Sequence, residues 1–124
     1  MAQELASEFG ARHGVVVHLD LDDVVAPAPP GVEQQLLRIL QESLNNIAKH
    51  AEAANVRVRY SSSSAAQQLT ITDDGVGFIV DGARRADAWG VIGMHERAAS
   101  IDARLSIASV PREGTTIHVD RREP

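Results

Sequence analysis

The sequence predicts a two-layer α/β sandwich, in which helices cover one face of a mixed, mainly antiparallel sheet. Three observations support this fold class. Several short segments alternate apolar and polar residues, as strands with one buried face do. One long segment repeats its leucines at three- and four-residue steps, which is typical of an amphipathic helix. The chain of 124 residues is long enough for one hydrophobic core, and it contains no internal repeat.

The first predicted elements are a short helix and a strand. The helix covers residues 3–12, because Leu5 and Phe9 lie one turn apart. Residues 15–22 alternate between apolar and polar side chains and are predicted as a strand. The connector 26–31 is rich in proline, which suits entry into a helix but is too short to separate two domains.

The long helix, residues 32–51, is the element that the pattern predicts most directly. Its predicted apolar face consists of Leu37, Leu40, Leu44, Ile47 and Ala51. Residues 55–60 follow as a strand that alternates valine and tyrosine with arginine.

The second half of the chain is predicted to contain three more strands and one helix. These elements are a strand at 69–73, a helix at 93–101, and two strands at 104–110 and 115–120. The last two strands are joined by Pro111, Arg112, Glu113 and Gly114, which read as a hairpin turn. We expect a single domain over residues 1–124, with its core motifs within 31–120 and a frayed tail at 121–124.

Composition argues against several classes of function. A net charge of −5 without a basic run argues against nucleic acid or an anionic membrane as the main partner. The absence of cysteine excludes disulfides and thiolate metal sites. No apolar run approaches the roughly 20 residues of a membrane span. The N-terminal sequence MAQE does not resemble a signal peptide, so a cytoplasmic location is expected.

The third predicted strand places a carboxylate on its apolar face. Period-2 alternation puts Leu69, Ile71 and Asp73 on the same side. A buried ionised group is costly unless a donor satisfies it. Gly75 and Gly77 follow at once, where a ligand can approach the backbone closely. The combination predicts a pocket for a molecule that offers a polar donor.

A second constellation lies on the long helix, opposite the predicted leucine stripe. Glu42, Asn46 and Lys49 fall within one narrow sector, and Asn45 and His50 flank it. A carboxylate, an amide and an ammonium group match the needs of a metal–phosphate ligand, since magnesium takes oxygen ligands and keeps several waters. Taken on the helix alone, an ordinary solvated face explains these residues equally well.

Glycines bracket the segment 79–89, which has no clear periodicity. They are Gly75, Gly77, Gly90 and Gly93. Glycines at both ends of an irregular segment predict a flap. Gly93 is also expected to open a helix, whose N-terminal amides favour phosphate. The simpler explanation is two loops that require positive φ.

Together and in this order, the motifs resemble the ATP-binding catalytic domain of sensor histidine kinases. That domain belongs to a superfamily with gyrase, Hsp90 and MutL that shares the Bergerat ATP-binding fold. The resemblance covers Val32 to Val119. The matching motifs are ESLNNIAKH (42–50), DDGVG (73–77), GVIGMHER (90–97) and Gly-Thr (114–115). The form of the third motif and the short lid resemble the nitrate-sensor and lipid-thermosensor branch.

The resemblance implies that ATP and Mg²⁺ are bound and assigns residues to them. Glu42 would be the catalytic or water-orienting carboxylate, and Asn46 the magnesium ligand. Lys49 and His50 would lie against the phosphates or the ribose. Asp73 would accept the adenine amino group. The remaining implied ATP-binding residues are Gly75, Gly77, Gly90, Ile92, Gly93, Met94 and Thr115.

The chain also departs from the family pattern. It has Ile101-Asp102-Ala103 where the branch usually has a Leu-Gly-Gly-like turn, and Arg112 where a glycine is common. The phosphoacceptor histidine of the family, which sits on a dimerising helix, has no counterpart in this chain. The resemblance therefore implies two partners, a dimerisation domain that carries this histidine and a response regulator. The isolated domain is expected to be a monomer with no direct membrane contact and little turnover.

Three other interpretations stay open at this point. The first is a stand-alone serine/threonine kinase that acts as an anti-sigma factor, which shares the fold and the ATP site. The second is a nucleotide-sensing module without phosphotransfer, although intact Glu42 and Asn46 weigh against a degenerate site. The third is an α/β domain whose glycines coincide by chance.

Overall fold

The computed structural model describes residues 2–77 and 90–123, which form a five-stranded sheet with helices on one face. The helices are α1 (Ala2–His13), α2 (Pro30–Asn46, continued by a π-helical turn at Ile47–Ala51) and α3 (Val91–Ser100). The strands are β1 (Val16–Asp20), β2 (Asn55–Ser62), β3 (Ala66–Asp73), β4 (Ala103–Val110) and β5 (Gly114–Arg122). The predicted flap at 79–89 lies outside the described residues.

The sheet is mixed, as the sequence predicts. Its strand order is β1-β2-β3-β5-β4, with β1 parallel to β2 and every other pair antiparallel. Helix α2 forms the crossover between the parallel strands β1 and β2, as a parallel pair requires. Strands β3 and β5 lie at neighbouring positions near the centre, so the residues at their ends meet inside the protein. The predicted two-layer fold class is confirmed.

The core lies between the helices and the inward face of the sheet. Strand β3 shows the alternation most clearly, because Gln67, Leu69, Ile71 and Asp73 are buried while the residues between them are partly exposed. Helix α2 contributes Val32, Leu36, Ile39, Leu40 and Leu44 to this core. Helix α3 joins it through Met94, whose sulfur lies 3.6 Å from the Ser43 hydroxyl.

The buried face of α2 differs from the predicted one. Four of the five predicted residues are buried, and only Leu37 is partly buried. Leu36 and Ile39 are buried as well, so the centre of the inward face is rotated from Leu37 toward Leu36. Because of this rotation, Asn46 lies at the edge of the buried face and is 5% exposed. Glu42 is partly buried. The predicted constellation therefore lies beside the core and not in the middle of a solvated face.

Two predicted boundaries also need correction. Helix α3 begins at Val91, so Gly93 is its third residue and does not open it. Strand β5 continues to Arg122, and the Glu123 amide donates to the Ala65 carbonyl at 2.7 Å. The predicted frayed tail is therefore wrong from Arg121 to Glu123. Within the described ranges, no helix is long and apolar enough to cross a membrane.

Candidate functional site

Asp73 ends β3 with its side chain on the inward face, as the alternation predicts. The residue is 5% exposed. The Gly75 amide donates to one carboxylate oxygen at 2.8 Å. Burial raises the pKa of Asp73 above its ordinary value, and the Gly75 amide partly offsets this rise; the nearby charge of Asp74 raises the pKa further, whereas the Thr115 amide lowers it. A buried carboxylate of this kind is an acceptor suited to a ligand N–H group.

Thr115 lies directly beside Asp73. The two residues are paired across β3 and β5, and Thr115 is 5% exposed. Its hydroxyl lies 2.7 Å from the hydroxyl of Ser109 on β4. The preceding Gly114 has a φ of +103°, and a Cβ there would collide with the carbonyl oxygen of Asp73. Glycine at this position therefore allows β5 to begin close enough to β3 for the pair to form.

The backbone after Asp73 is held against the end of α2. A Cβ on Gly75 would collide with the carbonyl group of Ala51, and the Val76 amide donates to that carbonyl oxygen at 2.7 Å. The Val76 carbonyl in turn accepts from the Arg112 amide at 2.5 Å. Gly77 follows with a φ of +67°. The backbone of residues 75–77, here called the glycine wall, thus lies between α2 and the β4–β5 hairpin.

The end of α2 brings the predicted phosphate-side residues next to this wall. Asn46 is the last α-helical residue before the π-helical turn, and Lys49 is exposed within that turn. π-Helical turns are rare in proteins, and those that occur are often found at functional sites. His50 belongs to the same turn, and its side chain lies outside the described part of the structure.

The beginning of α3 lies against Glu42. Gly90 precedes the helix with a φ of +67°, and a Cβ there would come within 2.5 Å of a Glu42 carboxylate oxygen. The positive φ favours glycine at this position, whereas the Glu42 side chain is flexible enough to move away from a Cβ. Ile92 is 49% exposed, and Gly93 is exposed as well. Met94 is 1% exposed and holds α3 to α2, so its side chain packs in the core.

These residues fit ATP and a magnesium ion by their donor set. The buried carboxylate of Asp73 suits an amino group, while the first turn of α3 offers backbone amides to an anion. No group of three or more His, Asp or Glu within 2–77 and 90–123 is arranged as a metal cage. Magnesium bound together with phosphates needs only one or two protein oxygens. Asn46, with Glu42 one turn before it, supplies such oxygens.

Sequence reasoning missed one pair of residues near the site. Asp74 accepts hydrogen bonds from the backbone amides of Ala54 and Asn55, both at 2.9 Å, and from the Asn55 side chain at 3.0 Å. These bonds, led by the Asn55 amide, lower the pKa of Asp74 below its ordinary value. The adjacent carboxylates of the DDGVG motif were the available signal, since alternation turns Asp74 away from Asp73, but the pattern does not identify Asn55 as the partner of Asp74.

Comparison with known families excludes the interpretation that the glycines coincide by chance. Residues 31–123 match the family described as histidine kinase-, DNA gyrase B-, and HSP90-like ATPase. The chain belongs to this family. The chain is also 34% identical over 116 residues to the sensor histidine kinase LiaS of Bacillus subtilis, covering 94% of this chain. The sensor protein VraS of Staphylococcus aureus is 37% identical over 91 residues, or 73% of this chain.

Solved structures agree with this assignment at the level of the fold. The blue-light activated histidine kinase of Erythrobacter litoralis EL346 superposes with a TM-score of 0.78 over 98% of this chain and 40% of its own, at 21% identity. Full-length ShkA in complex with AMPPNP superposes with a TM-score of 0.68 over 94% of this chain and 27% of its own, at 19% identity.

The family match confirms the predicted ATPase domain of the superfamily that holds histidine kinases, gyrase and HSP90. The chain spans 31% of the length of LiaS and 26% of VraS. The match therefore concerns part of each of these proteins and not the activity of the whole kinase.

Proposed function

We propose that this chain is the ATP-binding catalytic domain of a two-component sensor histidine kinase. It would hold Mg-ATP and present the γ-phosphate to a histidine on a dimerisation domain, from which a response regulator would take it. The observation that supports this most directly is the buried Asp73 carboxylate beside Thr115, held by the amide of Gly75, which packs against Ala51 at the end of α2. The LiaS and VraS relatives support placement in the nitrate-sensor branch.

Each residue has a role that its position supports. Asp73 accepts a hydrogen bond from the adenine amino group, and Thr115 lies beside it in the sheet. Glu42 orients the group that attacks the γ-phosphate. Lys49 and His50 lie against the phosphates or the ribose. Gly75, Gly77, Gly90, Ile92, Gly93 and Met94 build the wall and the first turn of α3.

Phosphoryl transfer asks mainly for positioning and charge neutralisation from the protein. Magnesium, when bound, supplies positive charge next to the phosphate oxygens. Asn46 provides the amide oxygen for it, on the partly buried edge of α2. In the transfer, the bond from the γ-phosphorus to the bridging oxygen breaks and a bond to an imidazole nitrogen forms, leaving ADP. Because the dimerisation domain supplies that imidazole, the isolated ATP-binding domain should bind ATP with little turnover. It should remain a monomer, because the dimer contacts of the family come mainly from the helices of the dimerisation domain.

Binding experiments on the isolated chain test the site. ATP is titrated by calorimetry with and without magnesium, using the wild type, Asp73→Asn and Asn46→Ala. Loss of a hydrogen bond to a charged group predicts about tenfold weaker binding or more for Asp73→Asn. Asn46→Ala should weaken binding only when magnesium is present. Asp23→Asn, at an exposed carboxylate paired with Arg59, is the matched control. Unchanged affinity in both site variants would show the assignment to be wrong.

A longer protein tests the reaction. Joined to the dimerisation segment from its own gene, the domain should produce acid-labile, base-stable phosphate, as phosphohistidine does. Acid-stable phosphoserine on a partner would instead support an anti-sigma-factor kinase. ATP binding without any transfer would support a nucleotide-sensing module. We place the domain in the cytoplasm, where ATP is supplied.

A further inference from the structure

The second carboxylate of the DDGVG motif faces away from the candidate site. Asp74 is exposed, and its side chain accepts three hydrogen bonds from Ala54 and Asn55. Its own backbone amide donates to the Asn55 carbonyl oxygen at 3.2 Å. Asp74 therefore contacts the segment that enters β2 and makes four hydrogen bonds to it.

These bonds extend the pairing of two strands beyond its last regular position. The β2–β3 ladder ends where Val56 pairs with Asp73. Beyond this pair, β3 offers no backbone acceptor to the amides of Ala54 and Asn55. The carboxylate of Asp74 accepts their hydrogen bonds instead. Hydrogen bonds to an ionised acceptor are about twice as strong as neutral ones. The bonds fix the peptide that leaves Asp73 relative to β2.

That peptide determines how the Asp73 side chain is held. The next amide, of Gly75, donates to the Asp73 carboxylate at 2.8 Å. Gly75 itself is confined by contact with the Ala51 carbonyl group. The backbone at Asp74 thus connects two constraints, one at the entry of β2 and one at the end of α2. If Asp74 is released, the Gly75 amide loses its fixed direction toward Asp73.

We infer that Asp74 is a positioning residue for adenine recognition, acting through Gly75 on the Asp73 carboxylate. The inference rests on the proposed ATP-binding function. It makes Asp74 a determinant of selectivity for the 6-amino group, although its own side chain points away from the nucleotide. Asn55 acts with it, since its side chain and its backbone both bind the Asp74 carboxylate.

Nucleotide discrimination separates positioning from general loosening of the fold. The affinities of the chain for Mg-ATP and for the magnesium complex of purine riboside triphosphate, which lacks the 6-amino group, are measured by calorimetry. Asp74→Ala should weaken ATP binding about tenfold while changing the affinity for the analogue less than twofold, since one charge-assisted contact is misdirected. Equal losses for both nucleotides, or an unchanged ratio, would overturn the inference.

Three further variants keep the test decisive if Asp74→Ala folds poorly. Asp74→Asn retains an oxygen for the two backbone amides, so it should restore at least half of the wild-type discrimination. Asn55→Ala removes only the side-chain bond and should cause a smaller loss than Asp74→Ala. Asp23→Ala removes an exposed carboxylate that accepts from Arg59 at 2.8 Å, and it should keep the full ratio. Failure of Asp74→Asn to restore the ratio, or equal loss in Asp23→Ala, would also overturn the inference.

The wild type itself distinguishes this inference from the proposed function. A wild-type chain that binds neither nucleotide contradicts the proposed ATP site, and the role of Asp74 falls with it. A chain that binds ATP tightly and discriminates, but whose discrimination survives Asp74→Ala, leaves the ATP site intact and refutes the role of Asp74 alone.

Discussion

Replacing Gly93 by alanine should make the protein more stable and a weaker nucleotide binder. Gly93 is the third residue of α3 and is exposed, and a Cβ there meets no atom of the described residues within 4 Å. Its φ is not positive. Glycine in such a helical position costs about 0.5–1 kcal/mol relative to alanine. Gly93→Ala should therefore raise the free energy of unfolding by that amount, or the Tm by about 2–5 °C.

The added methyl group should have the opposite effect on binding. It would project into open space at the first turn of α3, where backbone amides favour a phosphate group. Crowding of a close contact costs about 1 kcal/mol or more, which corresponds to about fivefold weaker binding or more. The helix does not need glycine at position 93, so the space required by a bound phosphate explains why glycine stands there.

Two measurements on the same variant check this reasoning. Urea unfolding without nucleotide gives the stability, and titration with Mg-ATP gives the affinity. Ala99→Gly is the matched control, because Ala99 is exposed on the same helix and distant from its first turn. This control should lose stability and keep its affinity for ATP. A destabilised Gly93→Ala, or one that binds ATP like the wild type, would refute the argument.

Three other substitutions give expected changes in stability without nucleotide. Gly75→Ala should lower the free energy of unfolding by about 2–4 kcal/mol, because its Cβ collides with the Ala51 carbonyl and displaces a hydrogen bond; a loss under about 1 kcal/mol in urea unfolding would contradict the close contact. Arg112→Gly should stabilise by about 0.5–1 kcal/mol, since Arg112 has a φ of +71° that glycine adopts without strain; a lower midpoint in urea would count against this. Asp73→Asn should be more stable than the wild type at neutral pH, because burial raises the pKa of Asp73. The stability that protonated Asp73 gives the wild type is fully present below the pKa of this residue in the unfolded chain, and it is lost as pH rises through its higher pKa in the folded chain. The difference in stability between the two proteins should therefore vanish in acid. Urea unfolding across this pH range measures it, and a constant difference would show that desolvation of the carboxylate is not the cause.

The position of Asp73 could be predicted because a strand has a strict period of two. Leu69 and Ile71 fix the inward face, and Asp73 follows on the same face without any choice of alternatives. The same holds for β2, where Val56 and Val58 are buried as the alternation predicts. Strand periodicity therefore located the buried carboxylate of the candidate site.

The phosphate side was harder to predict because a helix allows neighbouring stripes. Leu36 and Leu37 are adjacent, and either one can belong to an apolar face; contact with the sheet selects Leu36. That selection buries Asn46, which the sequence pattern placed toward solvent. The π-helical turn at Ile47–Ala51 has no distinctive residue signature, since its geometry depends on tertiary contacts.

The turns show why a departure in sequence does not imply a departure in shape. Asp102 and Arg112 stand where the family often has glycine, yet their φ angles are +56° and +71°. The backbone keeps the left-handed conformation without glycine, because the flanking elements determine the path of the chain: α3 and β4 for Asp102, and β4 and β5 for Arg112. The sequence alone identified the two positions that depart from the family pattern. It did not show whether their backbone conformation would change.

The pairing of Asp73 with Thr115 has a consequence for how the protein folds. These residues are distant in the chain and become neighbours only when β3 and β5 join near the centre of the sheet. Bringing such distant segments together costs entropy before their contacts are made, so this step should limit the folding rate. A molecule held across the pair binds only the joined strands. It would therefore slow unfolding, and the lifetime of the folded chain would depend on the supply of its ligand.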